Sequence, residues 1–151
     1  MPTLYNNNIR IAQGPGYVAI VHEMIHETRV VPLDGSAFTN IRGFMGESRG
    51  HWEGDTLVIE TRNFNGRTGF RGTGGKNLVT VERYTKVAAD RIDFKLTLND
   101  DTQWTRPWTV EYFMRPSDGE LYEYACHEGN YGLRNILQEA RDAEKAAAAG
   151  H

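Results

Sequence analysis

The chain is 151 residues long and carries 17 Lys and Arg against 20 Asp and Glu, a formal charge of −3. That length suits one domain, residues 1–151, burying about two-thirds of its unfolded surface, and the acidic balance argues against nucleic acid as a partner. The longest apolar stretches, such as residues 17–21, fall short of the roughly 18 to 20 residues that cross a bilayer, so no membrane partner is expected.

A single cysteine, Cys126, excludes an internal disulfide and a cysteine-rich metal site. No basic, then apolar, then small-residue segment stands at the start, so no secretory signal is read there.

Sixteen glycines separate short segments rich in Val, Ile, Thr, Tyr and Phe, the pattern of β-strands and their turns. After the turn signal Gly14-Pro15-Gly16, residues 17–24 and 29–33 read as an extended pair closed by Asp34-Gly35. Residues 36–46 have no clear period and read as a long loop over a barrel mouth. Residues 51–60 read as a hairpin in which Gly54 supplies the positive φ of a tight turn. Residues 63–76 hold five glycines and read as a mobile loop, followed by a strand over 77–86. Ile92, Phe94, Leu96 and Leu98 alternate with Asp93, Lys95, Thr97 and Asn99, which predicts a half-buried strand. Residues 104–115 and 121–127 read as two more strands, making about eight.

The tail changes period. Leu133, Ile136, Leu137 and Ala140 form one stripe of a helix over 132–149, expected to lie on a barrel wall or plug one end.

Taken together, Tyr5-Asn6-Asn7-Asn8, Glu23-Met24-Ile25-His26, Pro32-Leu33-Asp34-Gly35, Trp52-Glu53-Gly54-Asp55-Thr56-Leu57-Val58, Trp104-Thr105-Arg106-Pro107-Trp108 and Tyr124-Ala125-Cys126-His127-Glu128-Gly129-Asn130-Tyr131 resemble a family of uncharacterised, predicted secreted proteins of soil bacteria. The resemblance covers nearly the whole chain. It implies a secreted or periplasmic location and no assigned activity. Members of that family usually begin earlier, with a signal peptide and a short cysteine-containing segment.

His22-Glu23-Met24-Ile25-His26 matches the zinc-protease string H-E-x-x-H, which needs a helix to set two imidazoles on one ion. The β-branched neighbours favour a strand, where i and i+4 lie about 13 Å apart at ~3.3 Å per residue, so a chance match is the plainer reading. Strands can still bring distant histidines together, and His22, His26 and His127 are the candidate metal ligands; His51 is expected to be exposed. No cofactor is required by the sequence, and a divalent metal is the one considered.

Glu60, Glu82 and Glu123 each interrupt an apolar or aromatic strand. By alternation Glu82 shares a face with Leu78, Thr80 and Tyr84, and Glu123 with Leu121, Ala125 and His127. If those faces point inward, Glu82, Glu123 and His127 are candidate general acid–base groups, the competing reading being solvated carboxylates paired with Arg83, Arg106 or Arg115. Glu60, Trp104, Trp108, Tyr112 and Tyr124 are the candidate ligand-binding residues, since aromatics beside charged groups suit a sugar or an aromatic ligand. Cys126 reads as a buried, inert thiol or as one paired to a segment outside this sequence. There is no nucleophile elbow, phosphate-binding glycine loop or dinucleotide fingerprint.

The expected fold is an eight-stranded antiparallel barrel resembling a lipocalin-like calyx, packed by the C-terminal helix, with a two-sheet β-sandwich as the alternative. The leading function is binding of a small molecule. A hydrolase, lyase or isomerase using a Glu/His pair, with or without a metal, comes second, and a homo-oligomeric scaffold third.

Overall fold

The structure, a computed structural model, describes residues 8–67, 75–125 and 128–149. Its strands are β1 (Ile9–Gly14), β2 (Tyr17–His22), β3 (Thr28–Pro32), β4 (Glu47–Glu53), β5 (Thr56–Arg62), β6 (Val79–Ala88), β7 (Arg91–Asn99) and β8 (Trp108–Met114), and a helix α1 spans Gly132–Ala149. They form two antiparallel sheets, β1-β2-β3 and β4-β5-β6-β7-β8, in which every neighbour is also next in sequence.

Short turns make this order. Pro15-Gly16 joins β1 to β2 with Gly14 opposite Tyr17, and Gly16 takes φ +77°, which a side chain would resist. Gly54-Asp55 joins β4 to β5 with Glu53 opposite Thr56. Between β7 and β8, the Asp100 carboxylate accepts from Thr102 N (3.1 Å) and Thr102 Oγ1 (2.6 Å), so a buried acid is satisfied by its own turn.

The core lies where the inner faces meet. Val18, Ile20 and Val31 of the small sheet join Leu57, Ile59, Phe94, Leu96 and Leu98 of the large one. The alternation expected for residues 92–98 is present, with Phe94, Leu96 and Leu98 buried. Tyr84, Phe94 and Tyr112 stand directly opposite one another on β6, β7 and β8, with ring centroids 4.7 and 4.8 Å apart. On the other side β3 approaches β4 closely. A Cβ at Gly50 would stand 2.7 Å from Leu33 Cδ2 and 2.9 Å from Val31 Cγ1, so any larger residue must push those side chains aside.

Three expectations are corrected. Residues 9–14 form a strand that the sequence reading passed over, because Ala12 and Gln13 dilute the alternation of Ile9 and Ile11. Residues 121–125 do not form the expected strand: the Tyr122 N–H donates to Glu23 Oε1 (3.1 Å) and the Tyr124 N–H to His26 Nε2 (2.8 Å), so side chains take the place of a partner strand. The helix forms where expected but neither covers a wall nor plugs an end, since none of its residues is buried and Leu133 and Ile136 are 70% and 65% exposed. Residues 36–46 are irregular, as expected. They are tied down by Arg49 donating to Ser36 O and Ala37 O and by Arg42 donating to Phe64 O and Lys76 O.

Candidate functional site

Two neighbouring features sit on the inner faces: a buried polar cluster and an open cleft. The cluster begins with period-two geometry, which places Arg29 beside Val31 on the inner face of β3 and Glu82 beside Thr80 and Tyr84 on the inner face of β6. Arg29 Nη1 reaches Glu82 Oε2 at 2.5 Å and Arg29 Nη2 reaches Glu82 Oε1 at 3.0 Å, a two-pronged ion pair with both side chains 8% exposed. The Tyr84 hydroxyl donates to Glu82 Oε1 at 3.2 Å. Burial works against the Arg29 charge, but the Glu82 carboxylate outweighs it and holds the guanidinium pKa above its usual value. Burial and the Glu82 charge also push the Tyr84 and Tyr112 hydroxyls up.

His22, at the end of β2, belongs to the same electrostatic neighbourhood. Burial first, then the Arg29 charge, lowers its pKa to about 4 against a smaller opposing pull from Glu82, so the ring is neutral at neutral pH. Among the described residues neither His22 Nε2 nor Arg29 Nε, both buried, has a hydrogen-bond partner.

The cleft, of about 680 Å³, opens where the inner rows of the large sheet run out beside β1. Its floor is Ile9 and Ile11 of β1 with Leu57, Tyr84, Ile92 and Met114. Tyr84 is thus common to both features: its ring walls the cleft while its hydroxyl holds Glu82. Trp52 and Lys86 stand at the mouth, each continuing an inner row, past Gly50 on β4 and past Tyr84 on β6. The remaining charged lining residues are Arg10, Arg91 and Arg115 against Asp55 and Asp90.

The residues singled out from the sequence scatter. Glu82 shares its face with Thr80 and Tyr84 as alternation implied; that face is inward and the partner is Arg29, while Arg83 pairs with Glu53 on the other face at 2.6 Å. Glu123 is exposed in an irregular segment, and so does not line the interior. Glu60 is paired with Arg62. Trp104 and Trp108 meet edge to face at 5.5 Å and pack against the core, Tyr112 stacks on Phe94, and Tyr124 meets His26 at 6.4 Å. None of these lines the cleft.

His26 sits on a 3₁₀ turn with φ +54°, and its Nε2 lone pair is engaged by the Tyr124 N–H, which leaves it nothing to offer a metal on that side. The H-E-x-x-H string is therefore a strand end running into a single 3₁₀ turn, not an α-helix. His51 is exposed, as expected. Among the described residues no three His, Cys, Asp or Glu side chains converge as a metal site; His127 and Cys126 lie outside the described residues. Among the described residues no helix is long and apolar enough to cross a membrane.

Arg29 is the residue the sequence reading missed. A signal was available: one cation alternating with Val31 in an apolar strand, at the same depth as a carboxylate interrupting another. No family model, no curated protein and no solved structure matches the chain.

Proposed function

We propose that the protein binds a small molecule in the cleft between β1 and the end of the large sheet. The observation that carries this reading is the cleft itself, a concavity of about 680 Å³ whose floor is aliphatic and aromatic. Ligand sites usually fall between about 300 and 1,000 Å³ and combine such a floor with a few polar groups. The two sheets are then the wall of an open up-and-down barrel with its gap between β8 and β1. Sequential neighbours throughout, and the close packing of β3 on β4 at Gly50, support that reading over a sandwich.

The buried cluster favours binding over catalysis. Both Glu82 oxygens are taken, one by Arg29 and the other by Arg29 and Tyr84, so the carboxylate is a strut between sheets and not a base open to a substrate. Its effect on function is indirect, since it fixes the hydroxyl end of the Tyr84 ring that walls the cleft.

Titration with the neutral fluorophore N-phenyl-1-naphthylamine tests the proposal. Saturable enhancement at about one equivalent, lost in Ile11→Trp with the fold retained by circular dichroism, is expected. Absence of binding, or binding unchanged by Ile11→Trp, would remove the cleft as the site.

A further inference from the structure

The charge around the cleft is opposite to that of the whole chain. The protein is acidic, at −3, yet the one charged side chain that the inner rows carry to the cleft is a cation, Lys86; Arg10, Arg91 and Arg115 border the cleft from outward positions on their strands or beyond them, and Asp55 and Asp90 from turns. Two of these cations are already engaged. Arg91 pairs with Asp93 at 2.6 Å and Arg115 with Asp90 at 3.4 Å, and both guanidinium groups lie over the Phe113 ring, at 5.1 and 5.7 Å. Arg10 and Lys86 have no ion-pair partner among the described residues, and Asp55 is the one carboxylate left to set against them.

The position of Lys86 gives that imbalance a direction. Along β6 the inner row runs Thr80, Glu82, Tyr84, Lys86, so the ammonium follows the Tyr84 ring outward from the buried interior to the cleft mouth. Trp52, at the end of the β4 inner row, lies level with Tyr84, both standing opposite Leu57 of β5, and offers a second aromatic face across Leu57. A ligand whose apolar ring lies on the floor would thus present its outer end to Lys86, in a concave site where water screens less than on a flat surface.

We propose that the ligand of this cleft is an aromatic organic anion, its ring lying between Trp52 and Tyr84 and its carboxylate received by Lys86. This deepens the binding proposal and rests on it. A neutral sugar would leave Lys86 without a role, and an organic cation would be repelled by it.

The test is displacement of bound N-phenyl-1-naphthylamine by a matched pair: 1-naphthylacetate, and its uncharged amide 1-naphthylacetamide. At low salt the acid is expected to displace the fluorophore at a concentration about tenfold lower than the amide, as one charge-assisted contact implies. The ratio should fall towards one in Lys86→Met, survive in Lys86→Arg, and stay unchanged in Arg10→Met, whose side chain leaves β1 on the other face. Lys86 and Arg10 are exposed, so these variants are expected to fold. Equal displacement by acid and amide would overturn the anion while leaving the cleft as a binding site, and displacement by neither would overturn the aromatic class. Failure of the fluorophore itself to bind would remove both proposals.

Discussion

Replacing Glu82 with Gln should cost more stability than any other single polar change in the chain. The substitution leaves the Arg29 guanidinium 8% exposed with no counter-charge, and it removes the anionic acceptor of the Tyr84 hydroxyl. Breaking one partner of a buried pair typically costs about 3 to 5 kcal/mol, because the remaining charge stays desolvated. Against a total of roughly 5 to 15 kcal/mol this is a large fraction, and at about 2 to 4 °C per kcal/mol it lowers Tm by roughly 6 to 20 °C. Arg29→Met should behave alike. The double variant Arg29→Met, Glu82→Leu should recover most of the loss, since a buried pair and an apolar replacement of similar volume are often close in stability. Urea unfolding followed by tryptophan emission measures all three. Single variants within about 1 kcal/mol of the parent, or a double variant as unstable as the two losses added, would refute the view that the pair is a desolvated strut between sheets.

Three further outcomes follow from the same geometry. His22 has a folded pKa of about 4 against 6.5 when unfolded, so between those values the unfolded chain binds more protons and stability falls as pH drops. The full shift corresponds to about 3 kcal/mol, which partial exposure reduces to roughly 1 to 2, and His22→Gln should flatten that part of the pH–stability curve. Gly50→Ala should destabilise by about 1 to 3 kcal/mol through its clash with Val31 and Leu33, measured by thermal unfolding; an unchanged Tm would mean that β3 moves away at little cost. Leu133→Ala and Ile136→Ala should change stability by less than about 0.5 kcal/mol, because the apolar stripe of α1 is exposed; a loss above 1 kcal/mol would show the helix packed in solution.

Much of the framework was legible because strand geometry writes itself into period two. Phe94, Leu96 and Leu98 and the Gly54 hairpin follow from alternation and turn chemistry, whereas alternation groups Glu82 with Thr80 and Tyr84 without telling that their face is the inner one. What failed depended on partners distant in sequence. Leu121, Tyr122, Glu123, Tyr124 and Ala125 have strand-like composition, but their backbone donors meet Glu23 and His26, about a hundred positions earlier, and no local pattern announces that. The stripe on α1 predicts a helix correctly and says nothing about whether a surface exists to receive it. The candidate site was less legible than the fold. Aromatic density drew attention to Trp104, Trp108 and Tyr112, whereas the cleft is assembled from β1, the ends of β4 to β8 and the β6–β7 turn, and its aromatic members are Trp52 and Tyr84. The ends of inner rows become neighbours only after two sheets have folded around one core, so sequence spacing does not reveal them.

Amide chemical-shift mapping with 1-naphthylacetate tests the binding account most directly. Shifts concentrated at residues 9–13, at 52–57 and at 84–92 are predicted, with α1 and the Trp104–Trp108 region unmoved. Shifts centred on Trp104 and Trp108 or on the helix stripe, or no shifts at millimolar ligand in the folded protein, would contradict it.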